Sequence, residues 1–347
     1  MIDNTPTTFD NDNWRIAAKL SYIIFKLAQK LYIMAYREFL VRKKEISDPK
    51  YGKYPGARSA EEILDLGLFV LDKPRGYVCH EIDSIIKRIT GVKKCSHGGT
   101  LDPNVSGVLL IALNRATKLM QIFLKENKEY IALIYLHKDI PEEKIRAAVS
   151  EFLGKIKQMP PVKSAVARRL REREIYYFDI LEIDGRSILA RIGCEAGTYI
   201  RKLADDLGKK LGAGAHLQEL RRTKSGLFTE EQAITLQEFI RKFLAGEVKD
   251  FIMPVEIIAD AFPVVIVLDS AIGSITQGSP LYVAGISRVE KGIEPGDIVM
   301  MLSGKGELVG VGIAKMTSDE MISARRGIAV QTDIVLMRQG VYPRKTK

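Results

Sequence analysis

The chain has 347 residues, long enough for two domains with their own cores or for one large domain with an appendage. Lys and Arg outnumber Asp and Glu by 53 to 43, giving a net charge of +10 and a pI near 9.3, which suits a polyanionic partner without identifying one. Cys79, Cys95 and Cys194 have no paired spacing and the four histidines do not cluster, which argues against a zinc framework or a disulfide scaffold and fits a reducing, intracellular setting.

Residues 16–40 are the most apolar window, but Lys19, Lys26, Lys30 and Arg37 interrupt it too often for a membrane span, and no small-residue cleavage site follows. Ile16, Leu20, Ile23, Ile24, Leu27, Leu31 and Met34 recur at helical spacing and predict an amphipathic helix. The internal Met34 also allows the residues before it to be an upstream extension. Residues 47–60, rich in Pro, Gly, Tyr and Lys, read as an irregular arm. A buried strand at 68–71 breaks at Asp72-Lys73-Pro74-Arg75-Gly76, and Ile82, Ile85, Ile86 and Ile89 mark one face of a helix ended by Gly91. Strands at 108–113 and 130–136 flank a helix carrying Leu119, Met120, Phe123 and Leu124. Pro141 opens a helix with Ile145, Val149 and Phe152 inward, closed by Gly154. The runs 175–183 and 187–194 flank Asp184-Gly185, which predicts a type I′ hairpin, and a helix from Tyr199 turns Ile200, Leu203, Leu207 and Leu211 inward. Strands and helices mix without regular βαβ alternation, so the predicted class is α+β with a mixed sheet.

After about residue 261 the texture changes. Short strands at 264–268, 281–283, 298–302, 308–314, 328–330 and 334–337 alternate with turns such as Pro295-Gly296-Asp297 and Gly304-Lys305-Gly306. That rhythm predicts a separate β-barrel of about eighty residues. The expected division is an amino-terminal extension over 1–47, a main domain over 48–260 and the barrel over 261–340.

The densest chemical signal is Ser96-His97-Gly98-Gly99-Thr100-Leu101-Asp102-Pro103. The glycines let backbone approach a ligand, and Pro103 keeps Asp102 out of the α region. Alone this is an Asp-Pro turn. Four further pieces accompany it: the Lys73-Pro74 turn with Gly76, Lys128-Glu129-Tyr130 at the head of a strand, Gly197-Thr198-Tyr199-Ile200-Arg201 at a helix start, and Leu220-Arg221-Arg222-Thr223-Lys224-Ser225-Gly226. Each alone reads as a turn, a strand aromatic, a helix start or a solvated basic loop. Together with Pro160-Pro161 and Ser164-Ala165-Val166, in this order, they resemble the TruB-type pseudouridine synthases over residues 48–343. Gly98-Gly99 and the run Arg168-Arg169-Leu170-Arg171 are most similar to the branch holding dyskerin and its archaeal counterparts, the catalytic subunits of box H/ACA guide-RNA particles.

The resemblance implies a pseudouridine synthase catalytic domain followed by a PUA domain, working on RNA without metal or organic cofactor. Asp102 would be the nucleophile or the group provoking glycosidic cleavage. A buried carboxylate in that role needs a cation beside it, for which Arg201 stands. Tyr130 would stack on the uracil, Tyr199 would lie against the base, and Leu220 would line the apolar wall. Lys73, His97, Arg168 and Arg169 would bind substrate, the two arginines on a mobile loop that closes over RNA; His97 could equally hold its own loop. In the barrel, Gly310 and Gly312 would bring backbone close to a partner, with Lys315 and Arg325 toward phosphate. Cys79 stands where Ser or Thr is common. The implied partners are guide RNA, substrate RNA (rRNA or tRNA), small particle proteins docking on the catalytic domain and a kink-turn-binding protein, with no membrane. The end at Lys347, without a long Lys/Glu-rich tail, favours an archaeal-type protein in the cytoplasm. A stand-alone tRNA T-loop synthase and a non-catalytic RNA-binding scaffold are the competing readings.

Overall fold

The computed structural model describes residues 37–159 and 169–343. They fall into two compact units, one of residues 53–261 and one that joins the described residues before 53 to those from 262 onward. The described residues open with strand β1 (Phe39–Val41), then run through helix α1 (Ala60–Asp65), β2 (Gly67–Lys73), α2 (Cys79–Thr90), β3 (Cys95–His97), β4 (Ser106–Leu113) and the single turn α3 (Met120–Phe123). There follow β5 (Lys128–Leu136), α4 (Glu142–Ser150), β6 (Gly154–Gln158), the hairpin β7 (Arg171–Asp184) and β8 (Ser187–Cys194), α5 (Ile200–Lys210) and β9 (Ala215–Ser225). The larger unit ends with β10 (Phe228–Thr229), β11 (Ala233–Thr235), α6 (Leu236–Leu244) and β12 (Met253–Pro254).

Eleven strands of this unit make one mixed sheet in the order β11-β2-β4-β9-β5-β8-β7-β6, with β3 on β4, β10 on β9 and β12 on β2. β2 and β4 are almost unbroken apolar runs, as strands covered on both faces must be. One core gathers Phe69, Leu71, Ile82, Ile86, Leu109 and Phe239; a second gathers Ile134, Ile145, Ile188, Leu203 and Leu207. Tyr130 and Leu220 pack against both, at the seam between them.

The ladder at that seam is tight. Lys73 lies opposite Gly107 in the antiparallel β2–β4 pair, and Gly107 lies opposite Arg222 in the short parallel β4–β9 pair. Gly107 has φ +105°, and a β-carbon there would sit 2.2 Å from the Arg222 carbonyl oxygen. Only glycine lets the strands approach this closely.

Several local expectations shift. The hairpin turn is Gly185-Arg186, since Asp184 pairs with Ser187. Gly185 has φ +54° while Arg186 is absent from the positive-φ residues, the signature of a type II′ turn rather than I′. The helix expected around Leu119–Leu124 is a 3-10 stretch followed by one α turn, α3. Gly154 opens β6 rather than merely closing α4, and α1 falls where the irregular arm was expected to end.

The smaller unit adds β13 (Val264–Val267), α7 (Asp269–Ile275), β14 (Leu281–Tyr282), β15 (Ile286–Glu290), β16 (Ile298–Leu302), β17 (Leu308–Ala314), α8 (Ser318–Ser323) and β18 (Ile328–Val335). Its sheet runs β1-β15-β13-β16-β17-β18-β14 around a core that includes Val265, Ile286, Val299, Met301 and Val330. One strand, β18, replaces the two expected at 328–330 and 334–337, and α7, α8 and β15 were not foreseen. Gly310 and Gly312 serve the sheet itself: a β-carbon at either would meet β18 carbonyl oxygens at 2.5 and 2.4 Å. They permit close strand packing.

The segment expected as a separate extension is partly built into this unit. β1 pairs antiparallel with β15, so residues 39–40, at the end of the apolar window, are strand; residues 1–36 lie outside the described residues. Arg42 donates to the carbonyls of Met321, Ile322 and Ala324, where α8 leaves its last acceptors open. Ser47 Oγ and the Asp48 amide donate to Asp269 at 2.9 Å each, and Lys305 donates to Tyr51 O. Residues 37–52 thus take their hydrogen bonds from the carboxy-terminal unit.

The Gly107→Ala variant is expected to lose about 2 kcal/mol or more of stability, from overpacking plus an unfavourable φ, as measured by urea unfolding at neutral pH.

Candidate active site

Asp102 sits at the first position of a β-turn whose Val105 amide donates to the Asp102 carbonyl at 3.0 Å, with Pro103 at the second position. Several backbone groups of the loop before and after it are tied to the strands and turn around it. The Gly98 amide donates to Leu110 O at 2.9 Å. Cys79 Sγ accepts from the Leu101 amide at 3.2 Å, and the thiol donates to Leu101 O at 3.4 Å. Cysteine therefore does what a Ser or Thr hydroxyl could do there. The Gly76 amide donates to Pro103 O at 2.8 Å.

Two buried cations complete the hold. Lys73, 0% exposed, donates from Nζ to the carbonyls of Pro74 (3.0 Å), Pro103 (3.3 Å) and Val105 (2.9 Å). Arg222, 1% exposed, donates from Nε to Val108 O at 2.7 Å and from Nη2 to Gly99 O at 2.9 Å. Among the described residues neither makes an ion pair with a carboxylate. Burial pushes the Lys73 ammonium below its usual range, and the neighbouring Arg222 charge pushes the same way. Lys128, 7% exposed, donates to Phe123 O at 2.9 Å and to Glu126 O; burial, with Arg222 beside it, brings it down to about 8.

Above this base lies the predicted chemistry. Arg201 Nη2 donates to Asp102 Oδ2, joining the turn to the first turn of α5. Tyr199 is the N-cap residue of α5, and the buried Gln158 side chain grips its peptide: the Tyr199 amide donates to Gln158 Oε1 at 3.0 Å, and Gln158 Nε2 donates to Tyr199 O at 3.2 Å. Tyr130 faces Arg222 across the β5–β9 ladder, and Leu220 faces Ala132 two residues along. Burial pushes the Tyr130 phenol above its usual range, partly offset by Arg222, so the ring is neutral at working pH. Glu129 is held by Tyr177 O–H at 2.6 Å and Thr223 O–H at 2.7 Å, which together with Arg191 and Lys224 keep its carboxyl below the usual range despite burial.

Against the expectations, Asp102 is not buried: its side chain is 55% exposed and that of Arg201 58%. The loop lies at the surface, and any desolvation must come from what binds there. Lys73 is not a substrate contact, because its ammonium is consumed inside by three carbonyls. His97 spends both ring nitrogens within the protein, Nδ1 on Asp83 and Nε2 on Thr100. Arg169 is exposed; Arg168 and the segment 160–166 lie outside the described residues. Sequence reasoning missed Arg222, Lys128 and Gln158 as parts of the site. One signal was available: adjacent Arg221 and Arg222 on a strand point to opposite faces, so one had to turn inward. Arg221 takes the outer face and pairs with Asp72 and Glu230. Among the described residues no group of three or more His, Cys, Asp or Glu side chains could hold a metal ion, and no helix is long and apolar enough to cross a membrane.

An aspartate-arginine pair on a mixed sheet, followed by a small β-barrel, defines a class that comparison with known proteins makes specific. Residues 87–200 match the profile of the TruB family pseudouridylate synthase N-terminal domain and residues 201–259 that of the tRNA pseudouridylate synthase B C-terminal domain. Residues 263–336 match the PUA domain, and residues 28–83 the DKCLD (NUC011) domain. The chain belongs to the TruB family of pseudouridine synthases, RNA isomerases, in the branch shared by dyskerin and its archaeal counterparts. It is 47% identical over 315 residues to the probable tRNA pseudouridine synthase B of Methanopyrus kandleri, covering 89% of this chain and 93% of that one. The corresponding protein of Thermococcus gammatolerans is 46% identical, over 89% of this chain and 95% of its own. Among solved structures, a Cbf5-Nop10-Gar1 complex superposes with a TM-score of 0.81 at 44% identity, covering 89% of this chain and 96% of that chain. An H/ACA ribonucleoprotein bound to a substrate RNA containing 2′-deoxyuridine gives a TM-score of 0.81 at 42% identity, covering 89% and 97%.

Lys128 carries a pH signature. Its folded value near 8 lies below the ordinary 10.5, so the unfolded chain binds more protons between those values and stability rises with pH there. The penalty of the charged, buried ammonium is complete below pH 8 and is relieved above it. From pH 7 to pH 9 the wild type is expected to gain about 1 kcal/mol relative to Lys128→Met, read as the difference in urea unfolding free energies.

Proposed function

We propose that Asp102 is the reacting carboxylate of a uridine-to-pseudouridine isomerisation and that the chain works as the catalytic subunit of an H/ACA guide-RNA particle. The reaction breaks the bond between ribose C1′ and uracil N1, turns the base and joins C1′ to C5; the C5 proton is lost and the freed N1 takes up a proton, so the product is an isomer of the substrate. The observation that carries the reading is the Arg201–Asp102 pair on a loop whose backbone is pinned from beneath. Exposed to water, such a pair contributes little, about 0–1 kcal/mol. An everted nucleotide over it would exclude water and strengthen the pairing, keeping Asp102 ionised as it reacts. Tyr130, neutral and half-buried at the seam, offers a stacking face; Leu220 on the same sheet face offers an apolar wall, and Tyr199 stands at the head of the Arg201 helix. Eversion costs a few kcal/mol, which stacking and phosphate contacts offset.

Guidance is supported by the structural neighbours, which carry Nop10, Gar1 and RNA, and by the PUA domain that follows the catalytic unit. Guide RNA, substrate RNA and small proteins docking on the catalytic unit are the proposed partners. Activity on tRNA without a guide is the second reading, favoured by the names of the curated relatives. Conversion assays on tRNA and on guide-paired RNA, run separately, distinguish the two.

Asp102→Asn is expected to reduce single-turnover conversion of radiolabelled uridine RNA by more than about a thousandfold while leaving RNA affinity within a few-fold, as for a group acting on the reacting atoms. Conversion by both forms would remove Asp102 from the mechanism.

Arg168 and Arg169 are proposed to contact substrate phosphates. Replacing both by Gln is expected to flatten the log affinity against log salt slope by about 1.4, at roughly 0.7 per single-strand phosphate contact. An unchanged slope in filter binding between low and moderate salt would discard the contact.

A further inference from the structure

The Asp102 loop holds a second constellation that the roles above leave unused. Asp83, on α2, places Oδ2 2.8 Å from His97 Nδ1, and His97 Nε2 lies 3.3 Å from Thr100 Oγ1. The Asp83 and His97 side chains are 14% and 18% exposed, while Thr100 is open to solvent. The Cys95 thiol donates to Asp83 Oδ1 at 3.7 Å, so the carboxylate is fixed from both sides. These four residues come from a helix, a strand and the loop itself, and none belongs to the Asp102–Arg201 pair.

The hydrogen bonds have a direction. With Asp83 as the carboxylate and His97 as the neutral ring, the carboxylate can only accept, so the ring proton sits on Nδ1 and Nε2 is the acceptor. The Thr100 O–H then donates inward to Nε2, which leaves only oxygen lone pairs facing out. A hydroxyl oriented in this way rejects another acceptor, such as a phosphate oxygen, and takes an N–H or O–H donor. A nucleotide offers two such donors near the reacting bond, uracil N3–H and the ribose 2′-hydroxyl.

We propose that Thr100 is a substrate-contacting residue whose hydroxyl, aimed by the Asp83–His97 relay, accepts a hydrogen bond from a donor on the target nucleotide. Asp83 and His97 are positioning residues that act through it. The inference rests on Asp102, two residues along the same loop, being the reaction centre.

The test uses the full chain with radiolabelled RNA, under conditions where the wild type converts uridine. Thr100→Val is expected to lower kcat/KM about tenfold, the ordinary worth of one hydrogen bond, and Thr100→Ser to restore it. Asp83→Asn offers Nδ1 a donor, so the ring proton moves to Nε2 and the relay reverses; it should fall by about the same factor. In the Thr100→Val background Asp83→Asn should then cost nothing further, a non-additivity that a purely structural Asp83 would not produce. Affinities for RNA carrying 2′-deoxyuridine or 3-methyluridine at the target position identify the donor, since the Thr100→Val penalty in binding should vanish with one of them. Wild-type kinetics for Thr100→Val, additive losses, or a penalty that persists with both analogues would overturn the proposal. Should Asp83→Asn fail to fold, the exposed Thr100 pair of variants still decides. An inactive Asp102→Asn beside a wild-type-like Thr100→Val sinks this inference alone, whereas an active Asp102→Asn sinks the reading of the site.

Discussion

Two positive charges that have no carboxylate partner among the described residues, Lys73 and Arg222, hold up the loop on which the candidate site is built. An unpaired charge taken out of water is expensive, several kcal/mol even after relaxation. It persists only where polar atoms converge on it, and here those atoms are backbone carbonyls of the residues around Asp102. The dependence is mutual. The carbonyls of Gly99 and Val105 would lose these donors if the cations left, and the cations would be stranded if the loop moved. Such an arrangement has one geometry, so it fixes where Asp102 can be. Gly107 belongs to the same constraint, because it is the point at which β2, β4 and β9 come close enough to bring both cations under one loop.

The contrast between base and mouth is a division of labour. Beneath the loop the buried side chains are paired: Cys79 on Leu101, Lys128 on two carbonyls, Gln158 on the Tyr199 peptide. At the mouth, Asp102 and Arg201 are half-exposed and wet. A pair in that state is preorganised in position but weak in energy. In the mechanism proposed above, the nucleotide brings the low dielectric that strengthens it, so that RNA is both substrate and the wall that excludes water. The burial of Tyr130 keeps its phenol protonated, which suits a ring that stacks rather than one that exchanges protons.

The carboxy-terminal unit follows its own logic. Residues 37–52 supply an edge strand, a helix C-cap from Arg42 and a clasp on Asp269, so chain distant in sequence by more than 200 positions completes the barrel. Sequence spacing had suggested an independent extension. It misled because an edge strand and capping hydrogen bonds are backbone interactions, with no periodic side-chain pattern to reveal them.

What the amino-acid order by itself determined was substantial. The apolar runs of β2 and β4, the Gly91 helix stop and the turn rhythm of the barrel follow from local propensity, and the loop, helix-start and strand-head motifs were legible as a set of residues with compatible chemistry. The pairing of Asp102 with Arg201, implied by the resemblance, is seen in the contact. Tertiary structure decided the rest: that Lys73 and His97 face inward, that Asp102 faces out, and that Arg222 is the buried member of an Arg-Arg dipeptide. The reason is physical. Whether a lysine or an arginine serves the ligand or the scaffold depends on which carbonyls converge on it, and those carbonyls belong to strands and loops that meet only when the sheet closes.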